Sequence, residues 1–193
     1  MKSVFTGIAA ALFLSACATA EPTDPEPAAV EAPAVADHPL AMMFGEWVGP
    51  ASGYGPGGVP FELTQTERVG PMLDGRIVMV EGTGYTADGE KDFNAVGIIA
   101  PTGPDGTWEM RSYTRERSGT FPLEIHEDGF SWSIPAGPNA SIKYRATIVD
   151  GVWTEIGHYA AEGMEPREIF RMTVTRIGDT DWPAGNAVVP VRE

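Results

Sequence analysis

The chain has 193 residues, room for one domain with a substantial core and cramped for two. It sets 27 Asp plus Glu against 13 Lys plus Arg, a net charge of −14, so its surface repels phosphate backbones and argues against nucleic acid as a partner. A single cysteine excludes an intrachain disulfide and any site built from several cysteine ligands.

The first segment has the order of a secretory signal: Lys2 as a positive start, an apolar stretch from Val4 to Leu14, then small residues leading into Cys17. The apolar stretch is about half the ~20 residues that a spanning helix needs, so it reads as a leader rather than a membrane span. The run Leu14-Ser15-Ala16-Cys17 resembles a bacterial lipoprotein signal. That resemblance implies cleavage before Cys17, lipid on its sulfur and its new N-terminus, and, with Ala18 next, a place on the outer membrane facing the periplasm. Each buried acyl CH₂ contributes about 0.8 kcal/mol, so several chains would anchor the protein stably. The membrane is therefore an expected partner through Cys17, and residues 1–16 are an expected signal peptide.

Glu21 to Pro39 holds five Pro and five acidic residues and almost no large apolar side chain. It cannot bury enough surface to fold, so residues 17–39 read as a lipidated N-terminus and linker. Pro39 to Phe44 is expected to be one short helix. The domain proper is expected over 40–177, with 178–193 as an irregular tail.

Between linker and tail, Asp-Gly recurs at Asp74-Gly75, Asp88-Gly89, Asp105-Gly106, Asp128-Gly129 and Asp150-Gly151. Such pairs supply the positive φ angles of tight hairpin turns. The segments between them are strand-like: Trp47 to Gly53, Phe61 to Val69, Ile77 to Gly84, Phe93 to Ala100, Trp108 to Thr114, Phe121 to Ile125, Phe130 to Ile134, Ile142 to Val149, Val152 to Tyr159 and Ile169 to Arg176. The expected fold is all-β: an antiparallel up-and-down meander of about ten strands closed into a barrel, with no helix longer than about two turns after Gly45.

Pairing across a tight turn assigns faces, because directly opposed residues share a side of the sheet. Around Asp150-Gly151, Ile142, Tyr144, Ala146 and Ile148 oppose Tyr159, Gly157, Glu155 and Trp153, and both sets face inward. Around Asp128-Gly129, Leu123 and Ile125 are expected opposite Ile134 and Trp132. His126 and His158 fall on the outer face, as does Glu81. Glu155 is then a carboxylate on an apolar face, where burial without a partner costs several kcal/mol. Arg176 is the expected partner, lying across the Trp47 ring, so that Trp47, Glu155 and Arg176 form one polar pole.

Gly45-Glu46-Trp47 after a short helix, with the late Thr175-Arg176-Ile177, resembles the lipocalin and wider calycin signature, in which the Arg covers the Trp at the closed end. Together with Thr64-Gln65-Thr66-Glu67, Val80-Glu81-Gly82, Arg111-Ser112-Tyr113-Thr114 and Trp153-Thr154-Glu155-Ile156-Gly157, residues 39 to 177 also resemble an uncharacterised bacterial family of secreted lipocalin-like domains. The resemblance implies a calycin-like β-barrel and no agreed activity.

Motifs of phosphate or nucleophilic chemistry are missing. Gly53-Tyr54-Gly55-Pro56-Gly57-Gly58 matches a dinucleotide-binding glycine pattern by letter, but Pro60 and an alternating strand follow it instead of a helix. No Gly-x-Ser-x-Gly elbow or paired-histidine metal motif occurs, and no catalytic residue or cofactor is expected. Three functions stay open. The barrel binds a small apolar molecule with Phe61, Tyr144, Ala146, Trp153, Tyr159 and Phe170, entering between the loops 53–60 and 136–140. Alternatively it is a structural or envelope-interaction lipoprotein with a filled barrel. The third is a haem-binding, nitrobindin-like protein, which would need an inward His or Tyr ligand.

Overall fold

The computed structural model describes residues 37–103 and 106–182; the expected signal, Cys17 and the expected linker up to residue 36 lie outside the described residues, as do residues from 183 on. Ten antiparallel strands follow one another around a closed barrel, with the last pairing to the first. They are β1 Gly45–Tyr54, β2 Pro60–Met72, β3 Ile77–Tyr85, β4 Lys91–Pro101, β5 Trp108–Thr114, β6 Ser118–His126, β7 Gly129–Pro135, β8 Ala140–Val149, β9 Val152–Ala161 and β10 Arg167–Gly178. The expected short helix is a single 3₁₀ turn, Ala41–Met43, without a side-chain cap.

Turn chemistry sets the register. At the β8–β9 hairpin, Asp150 (φ 51°) and Gly151 (φ 73°) both take positive φ, the conformation of a two-residue type I′ turn. The opposed pairs are Ile142 with Tyr159, Tyr144 with Gly157, Ala146 with Glu155 and Ile148 with Trp153, as the turn predicts. The β6–β7 hairpin differs by one pair. Its turn is Glu127-Asp128, with Gly129 already opposite His126, so Leu123 faces Trp132 and Ile125 faces Phe130. The shift is an even number of residues, so no side chain changes face.

The barrel has two unlike ends. The loops after β2, β4, β6 and β8 lie at the Trp47 end; those after β1, β3, β5, β7 and β9 lie at the other. The Trp47 end is solidly filled, with Trp47, Ala51, Val69, Val78, Ile99, Phe130, Ala146, Trp153, Met172 and Val174 at most 3% exposed. The segment before β1 closes it: Leu40 and Met43 are buried, and the Trp47 indole Nε1 donates to the Met43 carbonyl at 2.9 Å. His38 is also buried there, between Phe44 and Trp108. Its Nδ1 accepts the Leu40 amide at 3.0 Å, which puts the ring proton on Nε2, an atom with no partner. Burial pulls its pKa down.

Arg176 does not form the expected pair with Glu155, nor lie across the Trp47 ring. Its side chain is on the exposed rim, where Nε donates to the Phe44 carbonyl at 3.1 Å and the guanidinium meets Asp179. Its position depends on Gly45: a Cβ there would stand 2.7 Å from Arg176 Nε. The glycine of Gly-x-Trp thus makes room for the arginine, which ties the strap before β1 to the end of β10. The tail's described start is also packed, since Arg68 lies 5.9 Å from the Trp182 ring and pairs with Asp181 at 3.2 Å.

Candidate functional site

The candidate site is the other half of the barrel interior. Phe61 and Leu63 on β2, Ala95 on β4, Ser112 on β5, Phe121 on β6, Trp132 and Ile134 on β7, Ile142 and Tyr144 on β8, Tyr159 on β9 and Phe170 on β10 all face inward by register, yet all stay partly open to solvent. These residues form the inner wall of the barrel end that the strap does not plug, a cup-shaped mouth whose wall is aromatic. Trp132 and Tyr144 stack with ring centroids 4.3 Å apart; Phe121 sits 5.8 Å from Trp132, and Phe170 sits 5.9 Å from Tyr144.

Four of the six sequence-assigned ligand residues, Phe61, Tyr144, Tyr159 and Phe170, line this cup. Ala146 and Trp153 do not: they are 0% and 2% exposed and belong to the filled half below it. Trp153 stands edge-on to Trp47 at 5.8 Å and to Phe130 at 5.7 Å, as core. Of the three histidines, His126 bonds to Ser131 Oγ on the outer face at 2.8 Å, His158 also lies on the outer face, and His38 packs at the closed pole.

The floor is polar. Glu155 is 7% exposed, and its Oε1 accepts the Trp132 indole N–H at 3.0 Å. The Trp153 indole N–H lies near enough to favour the ionised form of Glu155, but it is not aligned for a hydrogen bond and is left without a partner. Burial pushes the Glu155 carboxyl up to about 7 against these two donors. It also pushes the Tyr144 hydroxyl up to about 12, with the Glu155 charge adding to the effect.

Sequence reasoning missed a second carboxyl, Glu67, 9% exposed on the inner face of β2. Gln65 Nε2 donates to its Oε1 at 2.7 Å. Burial first, then the charges of Glu155 and Glu81, raise it to about 8 despite the Gln65 bond. The pair lies flat on β3 over Gly82 and Gly84: a Cβ at Gly82 would stand 2.9 Å from both Glu67 carboxylate oxygens. The Gly82-x-Gly84 spacing opposite Gln65-x-Glu67 was the available signal. A hollow of about 480 Å³ lies over the outer face of β4–β5, and one of about 510 Å³ lies at the Trp47 end between Pro39 and Trp108, Leu123 and Ile125 of β5–β6; neither is lined by these groups. Among the described residues no three His, Cys, Asp or Glu come together to hold a metal ion.

The barrel has a solved counterpart. The crystal structure of Rv2717c from M. tuberculosis superposes with a TM-score of 0.54 over 71% of this chain and 94% of that one, at 14% identity. At that identity the likeness shows the fold alone, a closed antiparallel barrel that fits the calycin-like expectation. No protein-family model matches the chain, and no curated protein matches it.

Proposed function

We propose that this protein is a binding module: the cup takes a small, largely apolar molecule through the mouth opposite Trp47, while lipid on Cys17 holds the domain at the envelope membrane. The observation that carries the reading is the aromatic wall of the unplugged end: Phe61, Phe121, Trp132, Tyr144 and Phe170 face inward there and keep some solvent contact, while Trp47 and Trp153 at the plugged end keep almost none. Apolar area buried in such a cup contributes at ~25 cal/mol per Å², enough for useful affinity from a modest ligand. The loops 55–59 and 136–139 stand at the mouth, clear of the strap at the closed pole.

The test is to purify the Cys17→Ser protein, extract it with organic solvent and weigh what is released by mass spectrometry. An apolar molecule recovered in a ratio near one per barrel supports the reading. Nothing recovered, together with no uptake of neutral apolar probes, contradicts it and favours a purely structural lipoprotein. The same variant tests the anchor: it should leave the membrane fraction, since the acidic domain has no attraction of its own for anionic lipid. A Cys17→Ser protein that stays with the membrane would refute lipidation there.

A further inference from the structure

Two indole N–H groups, from Trp132 on β7 and Trp153 on β9, converge on Glu155, the arrangement that suits a carboxylate. Of the two, Trp132 makes the hydrogen bond, and the Trp153 N–H, buried and without a hydrogen-bond partner, lies near enough to favour the charged form of Glu155. Yet no Lys, Arg or His among the described residues acts on Glu155 or Glu67. The other groups turned toward them are Gln65 on β2, Tyr144 on β8 and, through β3, the charge of Glu81; the nearest cationic influence, Arg117, reaches only as far as Tyr144. The floor thus has donors arranged for an anion and no cation to balance it. Above it stand the stacked Trp132 and Tyr144 rings, aromatic surface of the kind that attracts an ammonium group. The whole molecule, at −14, draws cations toward itself.

We propose that the ligand of the cup is a cationic amine: an aromatic or aliphatic body against Trp132, Tyr144, Phe121 and Phe170, and one protonated nitrogen seated at Glu155, with Glu67 as the second carboxyl behind it. This rests on the cup being a binding site and adds the charge of its occupant. The cation supplies the missing counter-charge, so binding draws both carboxyls toward their ionised forms and releases protons.

The experiment compares two probes of nearly equal shape, 1-naphthylmethylamine and 1-naphthalenemethanol, by calorimetric titration of the Cys17→Ser protein near pH 7. The amine should bind about tenfold or more tighter than the alcohol, as a cation–π contact plus a charge-assisted hydrogen bond implies. Glu155→Gln should remove that advantage, bringing the amine's affinity down to that of the alcohol measured in the same variant. Repeating the unsubstituted titration in buffers of different ionisation enthalpy should show proton release with the amine and none with the alcohol, a readout that does not depend on the variant folding. Equal binding of the two probes, or amine binding without proton release, overturns the proposal and leaves the cup standing. Failure of both probes overturns the cup with it.

Discussion

Arg176 and Trp47 exchange the importance that their signature suggests. Trp47 is 1% exposed, holds the Met43 carbonyl and packs edge-on to Trp153, whereas Arg176 is a rim residue whose bonds compete with water. Trp47→Ala should cost about 3–5 kcal/mol by lost burial and cavity, and Arg176→Ala about 1 kcal/mol for an exposed charge-assisted bond. Urea denaturation of the two variants checks the order, and a larger loss at Arg176 would contradict it. The carboxyls make a second prediction, in pH. Both Glu67 and Glu155 titrate higher in the fold, about 8 and about 7, than the ordinary 4.5. Below about pH 4.5 they are protonated folded and unfolded alike and cost nothing; as pH rises through 7 and 8, folding must hold charges it disfavours. At roughly 1.4 kcal/mol per pKa unit, the empty barrel should lose several kcal/mol between pH 5 and pH 9. The Glu67→Gln, Glu155→Gln double variant should flatten that loss; an unchanged pH profile would show that the carboxyls are not the cause. Glu155 was legible because its turn fixed the face of every neighbour. Glu67 was not, because β2 and β3 join through Leu73, Asp74 and Gly75, all at positive φ, a longer turn from which no pairing could be counted.

Among the elements, the strands were readable nearly to their ends, since alternation marks each strand and Asp-Gly pairs fall at five of the nine connections, although at β6–β7 the turn itself is Glu127-Asp128. The strap before β1 was not. Composition places His38 and Pro39 with the acidic, proline-rich linker, but Leu40 and Met43 drop into the Trp47 end of the barrel, which they close, and His38 follows them. Three-residue helical turns leave no period to detect, and only tertiary burial reveals this one as core. Leu40→Ala should therefore destabilise by about 2–5 kcal/mol, as a core deletion does, and expose Trp47 to quencher. A loss below about 0.5 kcal/mol, the scale of a surface change, would mean that the strap is not part of the barrel.

For the molecule as a whole, the ten-strand barrel is plugged by the strap at the Trp47 end and keeps its partly exposed inward aromatic residues at the other. The meander told the strand count and much of the inner-face list; it could not tell which inward residues touch one another and which face empty space, because that depends on how the closed sheet is sheared and where the strap plugs it. Ala146 and Trp153 were assigned to the ligand for that reason, though both are core. Ala95, inward on β4 and partly open, is a small residue on the wall of the proposed site. The decisive measurement is the binding of a neutral apolar fluorophore, N-phenyl-1-naphthylamine, to the Cys17→Ser protein with and without Ala95→Trp. The account predicts saturable binding at one site per barrel, quenching of Trp132 emission, and loss of both in a folded Ala95→Trp protein. Saturable binding that Ala95→Trp leaves untouched, or no binding by the unsubstituted barrel, would contradict it.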